Sequence, residues 1–128
     1  MQIFLNNEES ESYFLNALCN SLSYVETGYD LELTFNPIEY KDAQSKLEGM
    51  EACYEDTLIQ ILRDGGTLTM VDHGCEGEYT REIKLADVHE RVQQAIPSHL
   101  MDMINENDDA ETGDVIIQQV FFKEVIFG

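Results

Sequence analysis

The chain has 128 residues, with twenty-six Asp and Glu against seven Lys and Arg, a formal charge of −19, and 43 % hydrophobic residues. Such a charge excludes a nucleic-acid or anionic-membrane binder, since both need a basic stripe to neutralise phosphate. The apolar fraction excludes a disordered tail, and apolar runs as short as 115–117 and 120–122 exclude a membrane span.

In chain order, residues 2–5 suit a short strand. Asn6 with Glu9 three positions on is a capping box, and Leu15, Leu18, Leu22 and Val25 recur at helical spacing behind it. Gly28 ends that helix. Tyr29, Leu31, Leu33 and Phe35 then alternate with Asp30, Glu32 and Thr34, the pattern of a half-buried strand. Asn36-Pro37 stops it, and a loop or short helix runs to about Glu48. Met50, Tyr54, Leu58, Ile61 and Leu62 share one helical face, closed by Asp64-Gly65-Gly66 with glycine in the left-handed cap. Residues 67–72 and 79–85 read as strands joined through His73-Gly74-Cys75-Glu76-Gly77-Glu78. Asp87 with Glu90 repeats the capping-box pattern before Val88, Val92, Ala95 and Ile96. Pro97 interrupts, and 98–105 forms a further short helix through Leu100, Met101 and Ile104.

The C-terminal stretch 114–127 carries two signals. Its β-branched and aromatic residues favour a strand, yet Ile117, Val120, Phe121 and Val125 also share a helical face. Asp108, Asp109, Glu111 and Asp114 crowd where a helix N-terminus welcomes negative charge. A helix to about Phe122 followed by a strand over 124–127 is expected. With no linker or repeat, the reading is a single α+β domain over 1–128: a short antiparallel sheet of three to five strands packed by four to five helices.

The segment Asn107-Asp108-Asp109-Ala110-Glu111-Thr112-Gly113-Asp114-Val115-Ile116-Ile117-Gln118-Gln119-Val120-Phe121-Phe122-Lys123-Glu124-Val125-Ile126-Phe127-Gly128 resembles the tail of an uncharacterised family of small acidic proteins from phages and mobile elements. In those, an acidic-Thr-small-Asp start leads into an apolar segment with a Gln and ends in Gly-Glu-Val-hydrophobic-aromatic-Gly. Here Lys123 stands where glycine is expected, and Gly113 where alanine is commoner. The resemblance implies no active site; it implies a mobile-element protein acting in a bacterial cytoplasm.

Charge is uneven along the chain. Residues 1–40 hold seven acids and no base, and residues 92–128 hold seven acids against Lys123 alone. The other bases, Lys41, Lys46, Arg63, Arg81, Lys84 and Arg91, all lie between. If the two ends meet in space, as chain termini often do, they form one anionic face. The start of the chain has neither bases nor a long apolar stretch, so no secretory signal is expected. Three widely spaced cysteines, Cys19, Cys53 and Cys75, fit reduced thiols of a cytoplasmic protein.

Motifs for chemistry are thin. Aligning Asn105, Asn107 and Asp109 with a calcium loop puts Ala110 at the required glycine and Ile116 at the bidentate glutamate, so the EF-hand fails. His73 and Cys75, with His89 or His99, make one short-spaced ligand pair where zinc sites show two, and the other cysteines fall within predicted helices. Asp64-Gly65-Gly66-Thr67 lacks the lysine of a phosphate loop. No catalytic residue, metal site or cofactor is therefore expected. The leading expectation is an interaction protein whose acidic face docks on a basic protein surface, in its sharpest form a nucleic-acid mimic. Its target would be a nuclease, CRISPR effector, restriction enzyme or polymerase. Glu8, Glu9, Glu11, Glu26, Asp102, Glu106, Asp108, Asp109, Glu111 and Asp114 are the expected face, with Tyr13 and Tyr24 as aromatic anchors. The alternatives are a small enzyme or ligand-binding domain built around His73, Cys75, His89 and His99, or an accessory protein whose acidity serves solubility alone.

Overall fold

The computed structural model describes residues 3–107 and 109–128. Asn6 opens helix α1, Asn7–Tyr29: its Oδ1 accepts the Glu9 N–H at 2.7 Å, and Glu9 Oε1 accepts the Asn6 N–H at 3.0 Å. The helix ends at Asp30 in the left-handed region, and strand β1, Leu31–Phe35, follows with Leu31 and Leu33 buried. Asn36 caps α2, Pro37–Lys46, whose first residue is the proline that suits a helix start. Helix α3, Tyr54–Arg63, buries Leu58, Ile59, Ile61 and Leu62. It ends with Gly65 at φ +91°, where the Gly66 N–H reaches back to the Ile61 carbonyl.

Strands β2, Leu68–Asp72, and β3, Arg81–Ile83, complete an antiparallel sheet of order β1-β2-β3. Leu33 lies opposite Met70, and Leu68 opposite both Phe35 and Ile83, so one face of the sheet is apolar and meets the helices. The β2–β3 turn is organised by Asp72. Its carboxylate accepts the N–H groups of Gly74, Cys75 and Tyr79, each at 3.0–3.1 Å. Helix α4, Leu85–Arg91, runs into a 3-10 turn, Val92–Gln94; α5 spans Pro97–Ile104 and α6 spans Ala110–Phe122. The domain is α+β, with one more helix than expected and three strands among the described residues.

Helix α6 is the centre of the molecule. It touches α1, α4, α5, the 3-10 turn and β3, and residues 112–118 are all buried. A helix enclosed on every side has no polar stripe, which is why its sequence reads as strand and helix at once. Its closest partner is α1, running antiparallel: Phe14 meets Phe121, Ala17 and Ser21 meet Gly113, and Ser21 Oγ donates to the Ala110 carbonyl at 2.8 Å. A Cβ on Gly113 would lie 2.2 Å from Ser21 Oγ, so the missing side chain sets the distance between these helices.

Several boundaries differ from expectation. Met50 is exposed and outside α3, because the chain turns through 47–50 with Gly49 at φ +86° and the helix starts only at Tyr54. Asp87 is the third residue of α4 rather than its cap; it accepts the Lys84 N–H at 2.8 Å and starts the helix earlier. Of 2–5, Gln2 lies outside the described residues, and Ile3 to Leu5 form no strand; Leu5 N–H bonds Gln93 Oε1 at 3.1 Å instead. The expected strand over 124–127 is also absent, because a side chain replaces its neighbouring strand. Fully buried Gln118 accepts the Ile126 and Phe127 N–H groups at 2.8 and 2.9 Å and donates to the Phe127 carbonyl at 3.1 Å. No helix among the described residues is long and apolar enough to cross a membrane.

Candidate functional site

The two acidic ends of the chain do meet, but not tip to tip. Because α1 and α6 are antiparallel, Glu8 and Glu9 at the start of α1 lie about 20 Å along the axis from Ser21, which faces the start of α6. The result is two separate patches, one at the start of α1 and one around the α5–α6 corner. The first is Glu8 and Glu9. The second lies around the α5–α6 corner, where Glu106, Asp109 and Glu111 are exposed and Asp102 is half-buried. Asp109 is also the N-cap of α6, accepting the Thr112 N–H at 3.0 Å. That bond to the Thr112 backbone leads the interactions that hold the Asp109 carboxyl below the usual range. Asp108 lies outside the described residues.

Three of the expected carboxylates have internal duties. Glu11 bonds Arg63 Nε and His89 Nε2, both at 2.7 Å, tying α1 to α3 and α4. Burial pushes its pKa up, but the Arg63 and His89 contacts outweigh that and leave it lowered. Glu26 accepts the Leu33 N–H at 2.9 Å, fastening α1 to β1. Asp114 is buried, accepting from Tyr29 Oη at 2.5 Å and Gln118 Nε2 at 2.7 Å. Burial and the Asp114 contact push the Tyr29 phenol far up. These three were indistinguishable in sequence from the exposed acids, since most of their partners lie dozens of residues away.

Three of the seven cations are held in ion pairs. Lys46 pairs with Asp64 at 2.8 Å, Arg63 with Glu11, and Arg91 with Asp87 at 3.0 Å. Helices α1 and α6 themselves contain no lysine or arginine. Beside the second patch is a depression of about 490 Å³ whose walls include Tyr24, Tyr29, Glu111, Val125 and Phe127. Tyr24 is 55 % exposed, whereas Tyr13 is half-buried against the core. On neighbouring α5, Met101 and Ile104 are exposed alongside Asp102.

The histidine set does not converge. His73 Nε2 lies 2.9 Å from Glu32 on the outer sheet, His89 faces Glu11, and His99 faces Thr112 Oγ1 at 3.3 Å. Cys75 sits in the Asp72 turn, where burial and the Asp72 and Glu78 charges raise its thiol pKa. A depression of about 530 Å³ between α2 and α3 has Tyr40, Met50, Cys53 and Tyr54 in its walls and no histidine. What the sequence did not show is a meeting of Cys19, Cys53 and Glu55 at the α1–α3 contact. Cys53 is outside α3, one residue before it, rather than within a helix. Burial, then Glu55 and Cys53, push the Cys19 thiol up to about 11.

Several residues of the tail segment have definite structural roles. Thr112 is buried, Gly113 admits Ser21, and Asp114 and Gln118 bond each other. Phe127 stacks on Tyr29 at 5.2 Å, and Lys123, where glycine was expected, closes α6 in the left-handed region at φ +68°. Comparison with protein-family models, curated proteins and solved structures finds no match to this chain.

Proposed function

We propose that this protein is an acidic interaction module that docks on a basic protein surface, in its sharpest form a nucleic-acid mimic occupying the cleft of a nuclease, restriction enzyme or CRISPR effector. The observation that carries the reading is the α1–α6 pair. Neither helix contains lysine or arginine, and the arginines that reach them are engaged: Arg63 pairs with Glu11 of α1, and Arg91 pairs with Asp87 while donating to the Val120 carbonyl of α6. Glu8, Glu9, Asp102, Glu106, Asp109 and Glu111 are the carboxylates of the expected face left to meet a partner, with Glu9 and Asp109 also capping α1 and α6, and the Tyr24 depression supplies an apolar anchor point. The tail resemblance supports an origin in a phage or mobile element, where inhibitors of host nucleic-acid enzymes have a use.

The charge argument predicts how binding behaves. Uncompensated surface charge speeds encounter and is screened beyond about 10 Å at 0.1 M salt. A tagged protein incubated with bacterial lysate should therefore retain a nucleic-acid enzyme at low salt and release it as salt rises, with duplex DNA competing. Retention of only salt-insensitive proteins, or of none, would overturn the proposal.

A further inference from the structure

We propose that Cys19, Cys53 and Glu55 form a binding site for a thiophilic divalent cation of the zinc and cadmium class. The donors come from two elements. Cys19 is exposed on α1, whereas Cys53 and Glu55 flank the first residue of α3. Their sulfur and carboxylate oxygen atoms all lie within 4.8 Å of one another. A tetrahedral ion with bonds of about 2.3 Å to sulfur and about 2.0–2.2 Å to oxygen needs donors about 3.5–3.8 Å apart. Closing the difference takes about 1 Å, within reach of a side-chain rotation at the two exposed cysteines.

Asp56 positions one of the ligands. Asp56 accepts the Cys53 N–H at 3.0 Å and the Cys53 thiol at 3.2 Å. The first bond fixes the backbone that carries Cys53; the second is given up when sulfur turns to the metal. Binding replaces two S–H bonds with two metal–sulfur bonds and releases two protons to solvent. Two thiolates and one carboxylate leave the loaded cluster at −1, with a fourth position open to water. Sulfur ligands select against magnesium and calcium, which prefer oxygen. The site is independent of the acidic patches and of the Asp72 turn that holds Cys75.

The test is titration of the reduced, reductant-free full chain with Cd²⁺, read by sulfur-to-cadmium charge-transfer absorption and by competition with a chromophoric chelator. One equivalent per chain is expected, displaced by Zn²⁺. Cys19→Ser and Cys53→Ser should lose the absorption, Cys75→Ser should keep it, and Glu55→Gln should bind at least about tenfold more weakly. Both cysteines are exposed, so circular dichroism should show these variants folded. A signal that depends on Cys75, or that survives Cys19→Ser, overturns the proposal. So does a Cys19–Cys53 disulfide that persists in a reducing thiol buffer, since it would leave no ligand pair.

Discussion

Replacing Gln118 should unfasten the C-terminal tail from α6. The side chain is fully buried and makes four hydrogen bonds, at 2.7 Å to Asp114 and at 3.1, 2.8 and 2.9 Å to the backbone of Phe127 and Ile126. At about 1 kcal/mol net each, they contribute about 4 kcal/mol. Peeling of residues 124–128 sets the ceiling on the loss, because freed residues regain about 1–2 kcal/mol of chain entropy each while Phe127 gives up its ring contacts. Gln118→Leu, which keeps most of the volume, should lose about 2–4 kcal/mol, a large share of a typical domain's stability of about 5–15 kcal/mol. Denaturant unfolding gives the magnitude, and amide exchange at Ile126 and Phe127 gives the location. If Gln118→Leu stays within about 0.5 kcal/mol of wild type with both amides still protected, the side chain is filler and the reasoning fails.

Three further outcomes follow from the same contacts. Gly113→Ala should destabilise by about 1–3 kcal/mol in denaturant unfolding, although alanine is the better helix former, because its Cβ meets Ser21 Oγ at 2.2 Å. Adding Ser21→Ala should recover part of the loss, and a gain from Gly113→Ala alone would contradict the packing. Lys123→Gly should raise the melting temperature, by about 0.5–1 kcal/mol of stability, since φ +68° strains a residue with a Cβ. Glu11→Gln should cost about 1–2 kcal/mol at neutral pH. Glu11 has a lowered folded pKa, so its contribution is complete above its unfolded value of 4.5 and is lost as pH falls through the folded one. The gap between wild type and Glu11→Gln should therefore close in acid; a gap that persists below the folded pKa would rule out the ion pairs as its source.

How much of this was legible in the sequence depended on where each interaction closes. Helix α1 could be read because its cap is local, Asn6 to Glu9, and its leucines face one way. The alternation of β1 survived because one face of the sheet is covered by helices and the other is not. Helix α6 gave a mixed signal because it is enclosed. The strand expected at 124–127 failed because its hydrogen-bonding neighbour is one glutamine side chain, a partner that strand propensity does not register. The candidate surface follows the same rule. The sequence showed the base-poor ends, but not the antiparallel arrangement that divides them into two patches. Nor could it show that Glu11, Glu26 and Asp114 are engaged inside, or that Cys19 meets Cys53 across 34 positions.

The central claim is that the surface carboxylates of the two patches, at the start of α1 and around the α5–α6 corner, are what a partner reads. Its most direct test is displacement of labelled duplex DNA from a panel of nucleases, restriction enzymes, CRISPR effectors and polymerases, followed by anisotropy across a salt series. Wild type would be compared with a variant carrying Glu8→Gln, Glu9→Gln, Asp102→Asn, Glu106→Gln, Asp109→Asn and Glu111→Gln. These changes remove charge, while the amide side chains introduced at positions 9 and 109 can still accept the hydrogen bonds of both helix caps. Displacement from at least one enzyme by wild type, fading with salt and absent in an equally stable neutralised variant, is the predicted result. Equal displacement by both proteins, or none by either, would contradict it.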